Sequence, residues 1–204
     1  MYWLTADLKM TSRGFGAMLI ASVLLLACES ERQPATFYPI DSLVTAQIHL
    51  LTRIDAGLEK HALLDGTLDT VVYRPSDTTA WARELDIFRQ LSSINKPVNR
   101  ESYRVTDGLK DLGSNLTIKE FKSLGGQPIV YLKVYYQDNP ARPRKIEALY
   151  EEANLMFSST RQLTMRFDQI GDETVLTAYS VNGGQKMILS DSISFHINGK
   201  VLVD

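Results

Sequence analysis

Apolar residues recur at helical spacing in the stretch after Asp41. Val44, Ile48, Leu51, Ile54, Leu58 and Ala62 fall on one stripe, while Arg53, Glu59 and Lys60 lie off it. The spacing predicts an amphipathic helix over 41–64, with Asp41 or Ser42 as its N-cap and Asp65-Gly66 as its end. Residues 67–74 (TLDTVVYR) fit either a short strand or more helix, and Pro75-Ser76-Asp77 breaks the chain. A second helix is expected over 79–94, capped by Asp77 or Thr78, with Trp81, Leu85, Phe88 and Leu91 on one face. Asn95-Lys96-Pro97 stops it.

From about Tyr103 the pattern changes to β-rich runs separated by turn residues. Strands are expected over 116–124, 129–137, 145–155 and 160–167. The second of these, IVYLKVYYQ, is apolar on both faces, as an inner strand would be. The prolines of Asp138–Pro143 keep that segment out of a sheet interior. Segments 174–181 and 185–189 flank Asn182-Gly183-Gly184, and 192–197 and 201–203 flank Asn198-Gly199. Both read as hairpins. The expected fold is α+β: two N-terminal amphipathic helices packed on a C-terminal antiparallel meander of about six to eight strands. The helical part would span 41–95 and the sheet 103–204, with the helices covering one face.

The chain before this domain has a different texture. Residues 1–13 are mixed and carry Lys9 and Arg13, residues 14–26 (GFGAMLIASVLLL) are uncharged, and the chain turns polar after Cys28. That is the layout of a secretory signal. The uncharged run is shorter than the roughly 18–20 residues of a spanning helix. Leu25-Leu26-Ala27-Cys28 resembles the lipobox of bacterial lipoprotein precursors. The resemblance implies cleavage between Ala27 and Cys28, a diacylglycerol thioether on Cys28 and an acylated amino terminus. It implies a signal peptide over 1–27 and a lipidated tether over 28–40. Met10 is an alternative start, and Glu29, in place of an aspartate, points to the outer membrane.

Cysteine usage fits this expectation, because Cys28 is the only cysteine and no internal disulfide can form. A chain starting at Cys28 has 177 residues, enough for one domain with a real core. The net charge is −2, and removal of Lys9, Arg13 and Asp7 takes it to −3. So near-neutral a chain gives no electrostatic reason to expect nucleic acid.

Catalytic signatures are sparse. There is no G-x-S-x-G elbow and no P-loop. His49 and His61 are 12 apart and would share the first helix without metal-pair spacing, and His196 stands on a strand. No metal or cofactor is expected. Glu151 and Glu152 are adjacent and would face opposite sides of a strand. Arg142, Arg144 and Lys145 form a basic spot open to lipid headgroups or an acidic partner, or simply to solvent. The aromatic residues Tyr131, Tyr135, Tyr136, Tyr150, Phe157, Phe167, Tyr179 and Phe195 are expected mainly in the core. The domain has the general look of uncharacterised envelope lipoproteins. The expectation is a non-enzymatic binding or accessory lipoprotein held to the membrane through Cys28, with an envelope protein or glycan as partner. The alternatives are a carrier holding an apolar ligand in a curved-sheet cavity, and an enzyme with a dispersed site.

Overall fold

A computed structural model describes residues 37–188 and 191–203. The chain is α+β, built on one nine-stranded antiparallel sheet. Its elements are α1 (Ile40–Arg53), β1 (Gly57–Leu64), β2 (Thr67–Tyr73) and α2 (Thr78–Arg89), then 3-10 turns over Gln90–Asn95 and Pro97–Ser102. The strands β3 (Tyr103–Lys110), β4 (Thr117–Ser123), β5 (Ile129–Tyr136), β6 (Pro143–Ala153), β7 (Phe157–Ile170), β8 (Glu173–Met187) and β9 (Ile193–Leu202) follow. The sheet order is β2-β1-β9-β8-β7-β6-β5-β4-β3. The last seven strands form the expected meander, and the early β1–β2 hairpin is added to its far edge through β9.

That hairpin corrects the helix expected over 41–64. α1 stops at Arg53, Asp55 takes a left-handed turn (φ 51°), and β1 begins at Gly57. Leu58 and Ala62 continue the helical spacing only by coincidence, since Leu58 is a fully buried strand residue. Asp65 and Gly66 both have positive φ (46° and 85°), the conformation of a tight hairpin turn and not of a helix end. The stretch read as helical, 41–95, therefore contributes two strands, and the count exceeds six to eight. The start of α1 also differs, with Pro39 at the cap position and Asp41 in the first turn, paired with Arg89. α2 is close to expectation. Asp77 caps it by accepting from the Ala80 N–H at 2.8 Å, and Trp81, Leu85 and Phe88 are buried along one side.

The two glycine-marked hairpins near the C-terminus are also overturned. Asn182-Gly183-Gly184 lies inside β8 and Asn198-Gly199 inside β9. These glycines make room for side chains. A Cβ on Gly199 would land on the Tyr179 ring, and one on Gly183 would meet the Thr160 carbonyl and the Phe195 ring.

Cross-strand register sorts the side chains into two faces. Val134, Ile146, Met165, Tyr179, Gly199 and Lys60 stand side by side across β5, β6, β7, β8, β9 and β1. This face carries the core, where Trp81, Leu85, Phe88, Leu91 and Ile94 of the helical segment meet Leu132, Ile146, Leu163 and Met165. α1 is tied to the sheet by Gln47, a buried polar side chain. Its Nε2 donates to the Thr174 carbonyl at 2.8 Å and its Oε1 accepts from the Leu176 N–H at 2.7 Å, beside a bulge in β8. Phe37 and Tyr38, at the end of the expected tether, dock on the domain: Asn95 Oδ1 accepts from both backbone N–H groups, and both rings pack on Phe121. Every core residue lies between Tyr38 and Val201. Among the described residues no helix is long and apolar enough to cross a membrane.

Candidate functional site

The alternate residues of the same strands point away from the helices. One row across this open face runs Lys133, Glu147, Thr164, Ser180, Asn198, His61 and Thr70. The next runs Tyr135, Lys145, Arg166, Ala178, Lys200 and Glu59. The helix face of these strands is mainly apolar, Lys60 apart, whereas the open face is lined by charged, hydroxyl and aromatic groups. It is half-buried by its own long side chains, and among the described residues no helix packs over it.

Its most organised part lies on β4, β5 and β6. The Tyr135 hydroxyl donates to Glu147 at 2.6 Å, and the Lys145 ammonium sits 2.9 Å from the same carboxylate. Lys145 also lies 3.8 Å from the Tyr135 ring centroid, a cation–π contact. Lys133 repeats the motif, 5.1 Å from the Tyr131 ring centroid and 3.4 Å from Glu120. The electrostatics follow. Burial first, then the hydrogen bond to Glu147, pushes the Tyr135 hydroxyl well above its ordinary value. Burial alone would raise Glu147, but the Tyr135 hydrogen bond and the lysines outweigh it and hold the carboxyl below its usual range. Near neutral pH the tyrosine stays protonated and the glutamate ionised. Neither is poised for proton transfer.

Two depressions flank this array. An open one of about 770 Å³ is bordered by Asp111, Arg144, Lys145, Arg166, Asp168 and Thr177. A smaller one of about 340 Å³ lies over β7, β8, β9 and β1, between His61, Thr164, Arg166, Ser180, Asn198 and Lys200. Arg166 lines both, so the polar surface continues from β6 to β1. The larger one is lined mainly by polar groups, whereas the smaller one also exposes the apolar surface of Ala178, Tyr179 and Gly199.

A second polar cluster lies under the helices. Glu84 on α2 accepts from Lys60 Nζ (2.8 and 3.1 Å), from the Tyr73 hydroxyl (2.6 Å) and from the Tyr179 hydroxyl (2.8 Å). These donors come from β1, β2 and β8. All the strong acceptor positions of the carboxylate are taken, so the cluster fastens α2 to the sheet.

The residues singled out from sequence are dispersed. Cys28 and Ala27 lie outside the described residues, as does the signal expected over 1–27. His49 is exposed on α1, and His196 is exposed on β9. His61 is on β1, not on the first helix, and touches Thr70 Oγ1 and Glu59 Oε1, each at 3.0 Å. Among the described residues no three His, Cys, Asp or Glu side chains gather where they could hold a metal ion. Glu151 and Glu152 pair in register with Thr160 and Ser159 on opposite faces of β6. Of the basic spot, Arg142 and Arg144 border a loop pocket of about 390 Å³, while Lys145 turns onto Tyr135. Phe167 and Tyr179 belong to the core, Tyr150 and Phe195 pack against it, and Tyr131 and Tyr135 take the open face. Sequence reasoning missed Glu84, Glu120, Lys133 and Glu147. Alternation was the available signal: Lys133 and Tyr135, or Lys145 and Glu147, are two apart on single strands and must share a face. No protein-family model matches this chain, and comparison with curated proteins and with solved structures likewise finds no match.

Proposed function

We propose that the protein is a lipid-anchored lipoprotein of a bacterial envelope, cleaved between Ala27 and Cys28 and acylated on Cys28. In this reading its domain has a non-enzymatic binding role at the outer membrane, with the open face of the sheet as the contact surface for an envelope protein or glycan. The observation that carries the binding role is the Tyr131, Lys133, Tyr135, Lys145 and Glu147 array, held in place by its own hydrogen bonds on a face that no described helix covers. Such an array offers aromatic faces and fixed charges at little ordering cost, which suits recognition. The Tyr135 hydroxyl is pushed up and the Glu147 carboxyl down, both away from neutrality, which favours binding over general acid–base chemistry. A carrier would need room for an apolar cargo, and the space between helices and sheet holds Trp81, Phe88 and Leu91 at full burial.

Two measurements test the reading. Intact mass and membrane fractionation of the native protein beside Cys28→Ala address the anchor. The expected mature species begins at Cys28, carries acyl mass and fractionates with the outer membrane, whereas an unacylated wild type rejects the anchor. For the binding face, a photo-crosslinking residue at Thr164 should trap an envelope partner in intact cells, and one at the exposed Arg83 on α2 should not. Equal labelling from both positions rejects the open face as the contact surface.

A further inference from the structure

Strand direction places the β4–β5 turn and, side by side beyond it, three further turns at one end of the sheet: β6–β7, β8–β9 and β1–β2. These three are joined by backbone hydrogen bonds, Asp65 N–H to the Ser194 carbonyl (3.0 Å) and Ile188 N–H to the Met156 carbonyl (2.9 Å). Large apolar side chains are exposed on all three: Leu64 and Leu68, Met187 and Ile188, and Leu155 and Met156. Leu155 is 91% exposed and Leu68 65%. Single exposed apolar residues need no explanation, but a contiguous group does. At the opposite end Leu112 is just as exposed, but its neighbours are Asp111, Ser114 and Asn115, and Ile170 and Val203 at that end are only 50% and 40% exposed.

We propose that this fringe of hairpin tips contacts the lipid bilayer, inserting its leucine, methionine and isoleucine side chains at the level of the headgroups. The inference rests in part on the anchor reading above. The exposed side chains stand at strand ends and turns, and a fluid bilayer accommodates protruding apolar groups without a matching groove. Turn backbone also keeps its hydrogen bonds to water at that depth, which the hydrocarbon interior would deny it. Asp65, Glu151 and Glu152 flank the fringe, so the contact needs no anionic lipid, and the surface is assigned to a zwitterionic bilayer. The reach of the anchor agrees. Cys28 lies nine positions before Phe37, a span of at most about 32 Å in any conformation. Phe37 packs on Phe121, two positions before the end of β4 that lies on the fringe side. An acyl chain on Cys28 and the fringe can therefore reach one membrane together.

The test places an environment-sensitive fluorophore on Leu155→Cys or, as control, on Leu112→Cys. Each variant is reconstituted as the acylated protein in phosphatidylcholine–phosphatidylethanolamine vesicles, where the Cys28 sulfur is already a thioether. Acyl mass is read on the same sample. The comparison is repeated with the mature chain from residue 28, which keeps every core residue, carrying Cys28→Ser at saturating vesicle concentration. The anchor and the fringe are thus scored separately. The expected result is a blue shift, and quenching by a lipid-borne nitroxide, at position 155 but not at 112. If the two positions are equally water-exposed in both preparations, the proposal is wrong. It is equally overturned if position 155 is shielded without vesicles in a concentration-dependent dimer, which would assign the fringe to a second copy of the chain.

Discussion

Three donors from three different strands converge on the carboxylate of Glu84, and α2 is held to the sheet through it. Burial opposes its ionisation, but the hydrogen bonds from Lys60, Tyr73 and Tyr179 and the charge of Lys60 prevail and hold the folded carboxyl below the usual carboxylate range. A depressed carboxyl stabilises the fold above the unfolded pKa, and that contribution is lost as pH falls through the folded one. Glu84→Gln leaves the Lys60 ammonium without its counter-charge and should cost about 2–3 kcal/mol at pH 7. The difference between wild type and variant should shrink steadily below about pH 4.5, as the wild-type carboxylate protonates. Urea titrations at neutral and acidic pH would read this, and a pH-independent difference would show that shape, not charge, is what Glu84 supplies. Tyr103 is the opposite case. Its hydroxyl is buried with no hydrogen-bond partner, and burial pushes it up to about 12. Tyr103→Phe should therefore leave stability unchanged or raise it by up to about 1 kcal/mol, measured by the same titration.

At the scale of elements, Gln47 and Gly199 each carry a contact that a common substitution would break. Gln47→Leu fills the same volume but orphans the Thr174 carbonyl and the Leu176 N–H, both under α1. Two buried backbone groups left unpaired should cost about 2–4 kcal/mol despite the more apolar side chain, and thermal unfolding would show it. Gly199→Ala would drive a methyl into the Tyr179 ring and loosen the Tyr179 bond to Glu84. A loss of about 1–3 kcal/mol is expected from overpacking, and the same thermal unfolding would measure it. These positions also mark where the sequence was legible. α2 was readable because Asp77 caps it and Trp81, Leu85, Phe88 and Leu91 keep one period throughout. The end of α1 was not, because Leu58 and Ala62 satisfy both the helical and the strand period, and only Asp65-Gly66 could have signalled a hairpin. The Asn-Gly pairs misled for a physical reason. A glycine at a turn and a glycine beneath an aromatic ring look alike along one dimension, and only the partner strand tells them apart. The open-face array was half legible. Two-residue spacing puts Tyr135 beside Lys133 within β5, but nothing local shows that Glu147 will stand next to Lys133 across the ladder.

On the scale of the whole molecule, the sheet order joins early and late chain. β1 pairs with β9 along eight positions, Gly57–Leu64 against Leu202–Phe195, so the sheet is incomplete until the C-terminal strand is in place. The core makes the same connection: Leu58 of β1 and Val201 of β9 share it with Leu132 of β5 and the helices. The β1–β2 hairpin could not survive alone, since a two-stranded ribbon is marginal in water and most of its side chains are exposed. The described domain should therefore unfold as one unit. Trp81, fully buried on α2, is the only tryptophan among the described residues and reports on the helical layer, while far-UV circular dichroism of so strand-rich a domain reports mainly on the sheet. The two melting curves should coincide. Leu58→Ala at one side of the sheet and Leu132→Ala at the other should each cost about 2–5 kcal/mol. Each should lower both curves together, by about 2–4 °C per kcal/mol for a domain of this size. A fluorescence transition that precedes the sheet transition, or a Leu58→Ala variant that moves only one of them, would mean that the β1–β2 hairpin and α2 form a separable unit, held to the meander more weakly than the continuous ladder from β1 to β9 implies.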